Sequence, residues 1–230
     1  MRLDKYLSDM SIGTRSQVKQ IIKDGRVSIN NIIIKKSDYQ IKDNDLVCLD
    51  NEEIKYVEYE YYILNKPAGY LSATEDLHSK TIMELIHSKR KDLVPVGRLD
   101  KDTEGLILIT NDGMLNHKLL SSKNHVEKTY YVETDIDIPS NAEDIFSKPI
   151  EFEDFTSLPA KYERITNTTC YLTICEGKYH QVKRMFKKIG CTVTYLKRVK
   201  FGSLSLNDLN IGEYRSLTEK EIEDIKKVST

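Results

Sequence analysis

The chain has 230 residues, with 35 Lys and Arg against 36 Asp and Glu and a formal net charge of -1, so its overall charge makes no case for a nucleic-acid partner. No apolar run approaches the roughly 20 residues that span a bilayer, and the opening MRLDKYLSDM lacks the apolar segment of a signal peptide; the expectation is a cytoplasmic protein with no membrane partner. Cys48, Cys170, Cys175 and Cys191 form no Cys-x-x-Cys pair and no metal-ligand spacing with the histidines, which reads as buried free thiols and no metal site.

Charge is uneven along the chain. Residues 1–45 carry nine Lys or Arg against six acids, and residues 175–200 carry eight against one. Two basic segments in an otherwise acidic chain point to localised phosphate contacts, or simply to two solvated faces. In the first segment Leu3, Tyr6, Leu7 and Met10 recur at helical spacing, with Gly13 closing the helix. A second helix is predicted over 14–24: Thr14 or Ser16 caps it, Val18, Ile21 and Ile22 form its apolar stripe, and Gly25 stands at the C-terminal left-handed position. VSINNIIIKK reads as a hairpin turning on Asn30-Asn31, and a short strand over 45–49 completes the sheet. RLDKYL, TRSQVKQIIKDGRVSIN and the hairpin together resemble the S4-like RNA-binding domain, which implies that Arg2, Lys5, Arg15, Lys19 and Arg26 face structured RNA. The expected organisation is an S4-like domain at 1–51, a charged linker at 52–60 and a second domain at 61–230.

That second domain begins with a strand over 62–64, broken by a turn at Lys66-Pro67-Ala68-Gly69. Further strands are predicted at 106–110, 128–133 and 170–175. Asn111-Asp112-Gly113 reads as a turn and 114–120 as a helix. HQVKRMFKKIG places Val182, Met185, Phe186 and Ile189 on one helical face, with Gly190 at its end. The fold class is α+β, with helices on a sheet.

Asp100, in the stretch VGRLDKDTEGLILITNDG, stands just ahead of the 106–110 strand. A lone aspartate in a turn is ordinarily a cap or turn former. Two other features change its weight: Tyr130 on a strand in the basic Lys-Thr-Tyr, and a helix whose first turn carries Lys183 and Arg184 against its own macrodipole, which calls for an anion nearby. Asp102 and Glu104 read as turn formers or solvated acids and Asp112 as part of its turn. His117 and His125 have no nucleophile at a recognisable spacing, and His180 reads as a phosphate contact or a surface turn.

NKPAGY at 65–70, GRLDKDTEGLILITNDG at 97–113, HVEKTYYV at 125–132, EGKYHQVKRMF at 176–186 and GEYRSLTEKEI at 212–222 together resemble the pseudouridine synthases of the RsuA family. The resemblance implies a catalytic domain on a mixed, largely antiparallel sheet and isomerisation of a uridine in small-subunit (16S) ribosomal RNA. It assigns Asp100 as the catalytic aspartate and Tyr130 as the ring that stacks on the target base. Lys183 becomes the cation paired with the aspartate, and Arg98 the side chain that fills the gap left by a flipped uridine; His180 and Arg184 join the RNA contacts. Lysine at 183, where many related families use arginine, marks a branch and forgoes arginine's bidentate fork.

The reaction breaks the N-glycosidic bond, turns the base and rejoins it through C5 without net oxidation, so no cofactor is expected. Pairing with Lys183 favours an ionised Asp100. Stacking on Tyr130 is worth roughly 1 to 3 kcal/mol, against the few kcal/mol of flipping. The aspartate attacks the base, attacks the sugar, or removes a sugar proton to give a glycal. The protein is expected to act as a monomer. Competing readings are the same reaction on a large-subunit (23S) uridine, a non-catalytic RNA-binding assembly factor, and a glycosidase-like hydrolase; the last requires Asp102 or Glu104 to share a cleft with Asp100.

Overall fold

The computed structural model describes residues 1–88 and 90–228, which fall into two compact units. The first comprises Met1–Tyr59 with His87–Leu93, the second Glu60–Ile86 with the chain from Val94 onward.

In the first unit α1 (Leu3–Asp9) and α2 (Arg15–Lys23) pack over a four-stranded sheet of order β2-β1-β3-β4, formed by β1 (Val27–Ile29), β2 (Ile32–Ile33), β3 (Val47–Leu49) and β4 (Glu52–Glu53). Leu3 and Leu7 from α1, Val18 and Ile22 from α2, and Val27 from β1 are fully buried in one core. Thr14 caps α2 in a reciprocal capping box with Gln17, and Gly25 takes φ 78 behind it. Asn30 and Asn31, at φ 50 and 66, make the tight β1–β2 turn. The same chemistry recurs at Asp50 and Asn51, φ 50 and 67, so Glu52 and Glu53, read as connecting chain from the sequence, form a further strand. α1 ends earlier than the Gly13 reading: Met10 is its C-cap and Ser11 takes the left-handed conformation at φ 56.

The second unit is one mixed sheet of order β13-β5-β7-β11-β8-β10-β9. Its strands are β5 (Tyr61–Lys66), β6 (Val94–Pro95), β7 (Glu104–Thr110), β8 (Lys128–Thr134), β9 (Lys161–Arg164), β10 (Thr169–Ile174), β11 (Val193–Phe201), β12 (Leu204–Ser205) and β13 (Tyr214–Ser216); β6 pairs with β7 and β12 with β11. All pairings are antiparallel except β7 with β11. The helices are α3 (Gly113–Leu120), α4 (Ala142–Phe146), α5 (Gln181–Lys188) and α6 (Glu219–Val228). Leu106 and Leu108 of β7, Leu115 and Leu119 of α3, Phe201 and Ile225 share one core, while Phe146 of α4 meets Phe186 of α5 at 5.1 Å between ring centroids. Asp112 is the N-cap of α3, accepting from Leu115 N, so the Asn-Asp-Gly turn is a helix start.

Gly105 controls the parallel pairing. At φ 106 it lies opposite Arg198, and a Cβ there would stand 2.2 Å from the Arg198 carbonyl oxygen. Only glycine lets the two strands meet immediately after the Asp100 loop. Cys48, Cys170 and Cys191 are buried free thiols, and Cys175 is half-buried. Among the described residues no helix is long and apolar enough to cross a membrane.

α6 is fastened by Arg215, whose guanidinium donates to both Glu221 oxygens at 2.8 and 2.7 Å, while Glu221 also accepts from Thr218 N. The Arg215 hydrogen bond holds the Glu221 pKa at about 2, below its ordinary 4.5. A lowered folded-state pKa contributes stability that is present above about pH 4.5 and lost as pH falls towards 2. Glu221→Gln is therefore expected to lose about 1 to 2 kcal/mol at pH 7 in urea unfolding, allowing for partial exposure, with the gap to wild type closing between pH 4.5 and 2.

Candidate active site

Asp100 sits in the loop between β6 and β7, and that loop is built around a buried ammonium. Lys66, the last residue of β5, is fully buried, and its Nζ donates to the carbonyl oxygens of Thr103 at 2.7 Å, Pro67 and Asp100 at 3.1 Å and Lys101 at 3.2 Å. Burial pushes its pKa down to about 8, while the negative charges of Asp102, Glu104 and Asp100 favour the charged form. Gly69 N donates to Lys101 O at 2.7 Å, and Ser72 Oγ both donates to Leu99 O and accepts from Leu99 N at 3.0 Å. Gly97 turns the chain at φ 72, leaving Arg98 exposed and Leu99 buried. The sequence presents Lys66 only as a turn residue; its function depends on carbonyls about 35 positions away.

The Asp100 carboxylate opens into a small cleft floored by Tyr130 of β8, Ile174 of β10 and Leu196 of β11, and walled by α5. Tyr130 is 8% exposed and pairs in register with Leu172 and with Arg198. Arg198 is itself buried, with Nε donating to Leu106 O at 2.7 Å. Lys128, two residues before Tyr130 on the same strand face, donates to Val126 O, and burial lowers its pKa to about 8. The two cations lie over the Phe201 ring at 5.1 and 5.5 Å.

Lys183 serves two acids. Its Nζ stands 3.4 Å from Asp100 Oδ2, but its hydrogen bonds go to Asp102, at 2.7 and 2.8 Å. Asp102, whose side chain is 73% exposed, thus anchors the lysine that the sequence reading gave to Asp100 alone; the Lys183 hydrogen bond holds its carboxyl below the usual range. His180 Nε2 lies 3.5 Å from Asp100 Oδ1. Asp100, Asp102 and, for Arg184, Asp154 are the anions that the cationic start of α5 requires. Arg184 pairs with Asp154 and packs on the stacked rings of Phe152 and Phe155, 4.8 Å from each centroid, outside the lining of the cleft. Glu104 accepts from Tyr195 Oη at 2.6 Å and does not line the cleft either. Among the described residues Asp100 is the carboxylate that lines the cleft, whereas Asp102 is 73% exposed and Glu104 is tied to Tyr195. Among the described residues no group of three His, Cys, Asp or Glu is arranged to hold a metal ion.

In the first unit Lys5, Arg15 and Lys19 are exposed and form no ion pair with a described residue. Arg2 donates to both Asp4 oxygens and Arg26 pairs with Asp50, so these two cations are engaged within the chain.

Residues 60–188 match the RNA pseudouridylate synthase family, and residues 1–47 match the S4 domain. The chain belongs to the RNA pseudouridylate synthase family. It is 44% identical over 231 residues to a Bacillus subtilis protein named as an uncharacterized RNA pseudouridine synthase, covering 96% of this chain and 97% of that one. Its identity to the ribosomal small subunit pseudouridine synthase A of Vibrio cholerae is 39% over 231 residues, covering 99% and 100% of the two chains. A solved pseudouridylate synthase structure superposes with a TM-score of 0.70 at 38% identity over 98% of this chain and 99% of that one. The protein is thus a pseudouridine synthase with an N-terminal S4 domain and an α+β fold.

Lys66→Met removes the ammonium that the loop carbonyls share. Turnover is expected to fall by about tenfold or more, corresponding to about 1.4 kcal/mol, while RNA affinity measured by fluorescence anisotropy stays within about twofold.

Proposed function

We propose that this synthase isomerises one uridine of small-subunit (16S) ribosomal RNA, without a cofactor, using Asp100, Tyr130 and Lys183 on a nucleotide flipped out of its stack. The observation that carries the reading is a single carboxylate, Asp100, opening beside a nearly buried tyrosine ring and within 3.4 Å of an ammonium. The choice of ribosomal RNA is supported by full-length similarity to proteins named ribosomal small subunit pseudouridine synthase A.

The site suits the reaction. C1′–N1 breaks with its electron pair passing to the base, the base turns, C5 bonds to C1′, and the C5 proton is balanced by one returned to N1. The detached uracil must be held while it turns, and the Tyr130 ring offers a flat surface whose position the sheet fixes. Asp100 is kept in place by backbone contacts on both sides, and Lys183 is oriented by Asp102 as well as drawn to Asp100. Exposed Arg98, two residues from Asp100, is positioned to enter the space vacated by the uridine. The first unit docks structured RNA through Lys5, Arg15 and Lys19, the second carries the catalytic site, and the enzyme works as a cytoplasmic monomer.

Asp100→Asn should abolish product while RNA binding persists. In carbodiimide mapping of ribosomal RNA from cells carrying the variant or lacking the gene, one small-subunit pseudouridine signal should disappear. Loss of a large-subunit signal instead would move the substrate, and unchanged maps would reject the assignment. For docking, the triple variant of Lys5, Arg15 and Lys19 to Gln should reduce the slope of log affinity against log salt by about 2 to 3, since each lost phosphate contact releases fewer counterions. An unchanged slope would remove these three residues from the interface.

A further inference from the structure

Tyr179 has no part in the chemistry above, and it is 74% exposed. Its ring stacks on His180, with centroids 3.8 Å apart and planes 18° from parallel. His180 in turn caps α5 with a left-handed backbone, φ 50, which a residue with a Cβ adopts only where its surroundings require it. The turn beneath is tied by buried Gln181: its N donates to Lys178 O at 3.1 Å, its Oε1 accepts from Lys178 N at 3.0 Å, and its Nε2 donates to Glu176 Oε1 at 2.7 Å. Two rings are thereby mounted in series, leading outward from Asp100: His180 Nε2 lies 3.5 Å from the carboxylate, and Tyr179 lies against the imidazole.

Resting on the reading that the cleft receives a flipped uridine, we propose that the outer face of Tyr179 is a stacking subsite for the unpaired base next to that uridine. A base on this face continues the Tyr179–His180 stack towards the cleft, so the neighbour is gripped while the target is out of line. Every base presents a π-face, so the subsite reads the presence of an unstacked neighbour more than its identity. The exposed Arg98 and Lys178 of the same cleft supply positive charge for the intervening phosphate.

The test uses the full-length enzyme and short ribosomal RNA fragments that are intact, or abasic at the nucleotide 5′ or 3′ to the target. Tyr179→Ala is expected to raise KM on intact RNA about tenfold with kcat within about twofold, and Tyr179→Phe to match wild type. On one of the two abasic fragments wild type should show the same rise in KM, and Tyr179→Ala should add nothing to it. An unchanged KM for Tyr179→Ala, or an equal defect on intact and both abasic RNAs, would overturn the subsite while leaving the enzyme's substrate assignment intact. No wild-type product on any fragment would overturn that assignment, and the subsite with it.

Discussion

The geometry of the site depends on how one buried charge is satisfied. Taking an ammonium out of water is costly unless its donors find acceptors, and Lys66 finds them in the loop it must hold, within 2.7–3.2 Å of four carbonyl oxygens. The loop cannot move away without stranding the charge, and the charge cannot be satisfied unless the loop is closed. Ser72 and Gly69 secure the same loop through neutral hydrogen bonds. The Asp100 side chain, meanwhile, remains at the cleft with its acceptor oxygens turned to Lys183 and His180.

A second constraint brings the other half of the site to this loop. β7 and β11 run parallel, and their closest approach is at Gly105, where any side chain would strike the Arg198 backbone. β11 carries β8 beside it, so the register that places Arg198 opposite Gly105 also places Tyr130 opposite Arg198. The position of the ring relative to Asp100 is therefore a property of the sheet and not of a flexible loop. On the third side α5 begins with cations where its dipole is unfavourable to them, and Asp100, Asp102 and Asp154 compensate.

Much of this was legible from the order of residues. The Asn30-Asn31 hairpin, the Thr14 cap, the strand over LILIT and the amphipathic α5 all follow from local rules, because a turn or a cap is decided by a few neighbouring residues. The grouping of Asp100, Tyr130 and Lys183 was legible through resemblance to a family, not through spacing, since separations of 30 and 53 positions say nothing about contact. The Asp50-Asn51 turn used the same chemistry as Asn30-Asn31 but was hidden in a charged stretch with few β-formers. Arg2, Arg26 and Arg184 look equally free in sequence, and the fold gives each a carboxylate.

Local elements and the types of residue available for chemistry follow from the order of residues, because dihedral preference and hydrophobic period act over a few positions; that 87–93 join the first unit does not. Packing between distant segments set what those residues do to one another. It made Lys66 the anchor of a loop 34 to 37 residues away and set Asp102 beside Lys183 across 81 residues. It also left Tyr179 exposed and stacked on His180, which lines the cleft. Each outcome depends on which groups share a low-dielectric space or lose water together, and that is a property of packing that no stretch of chain carries alone.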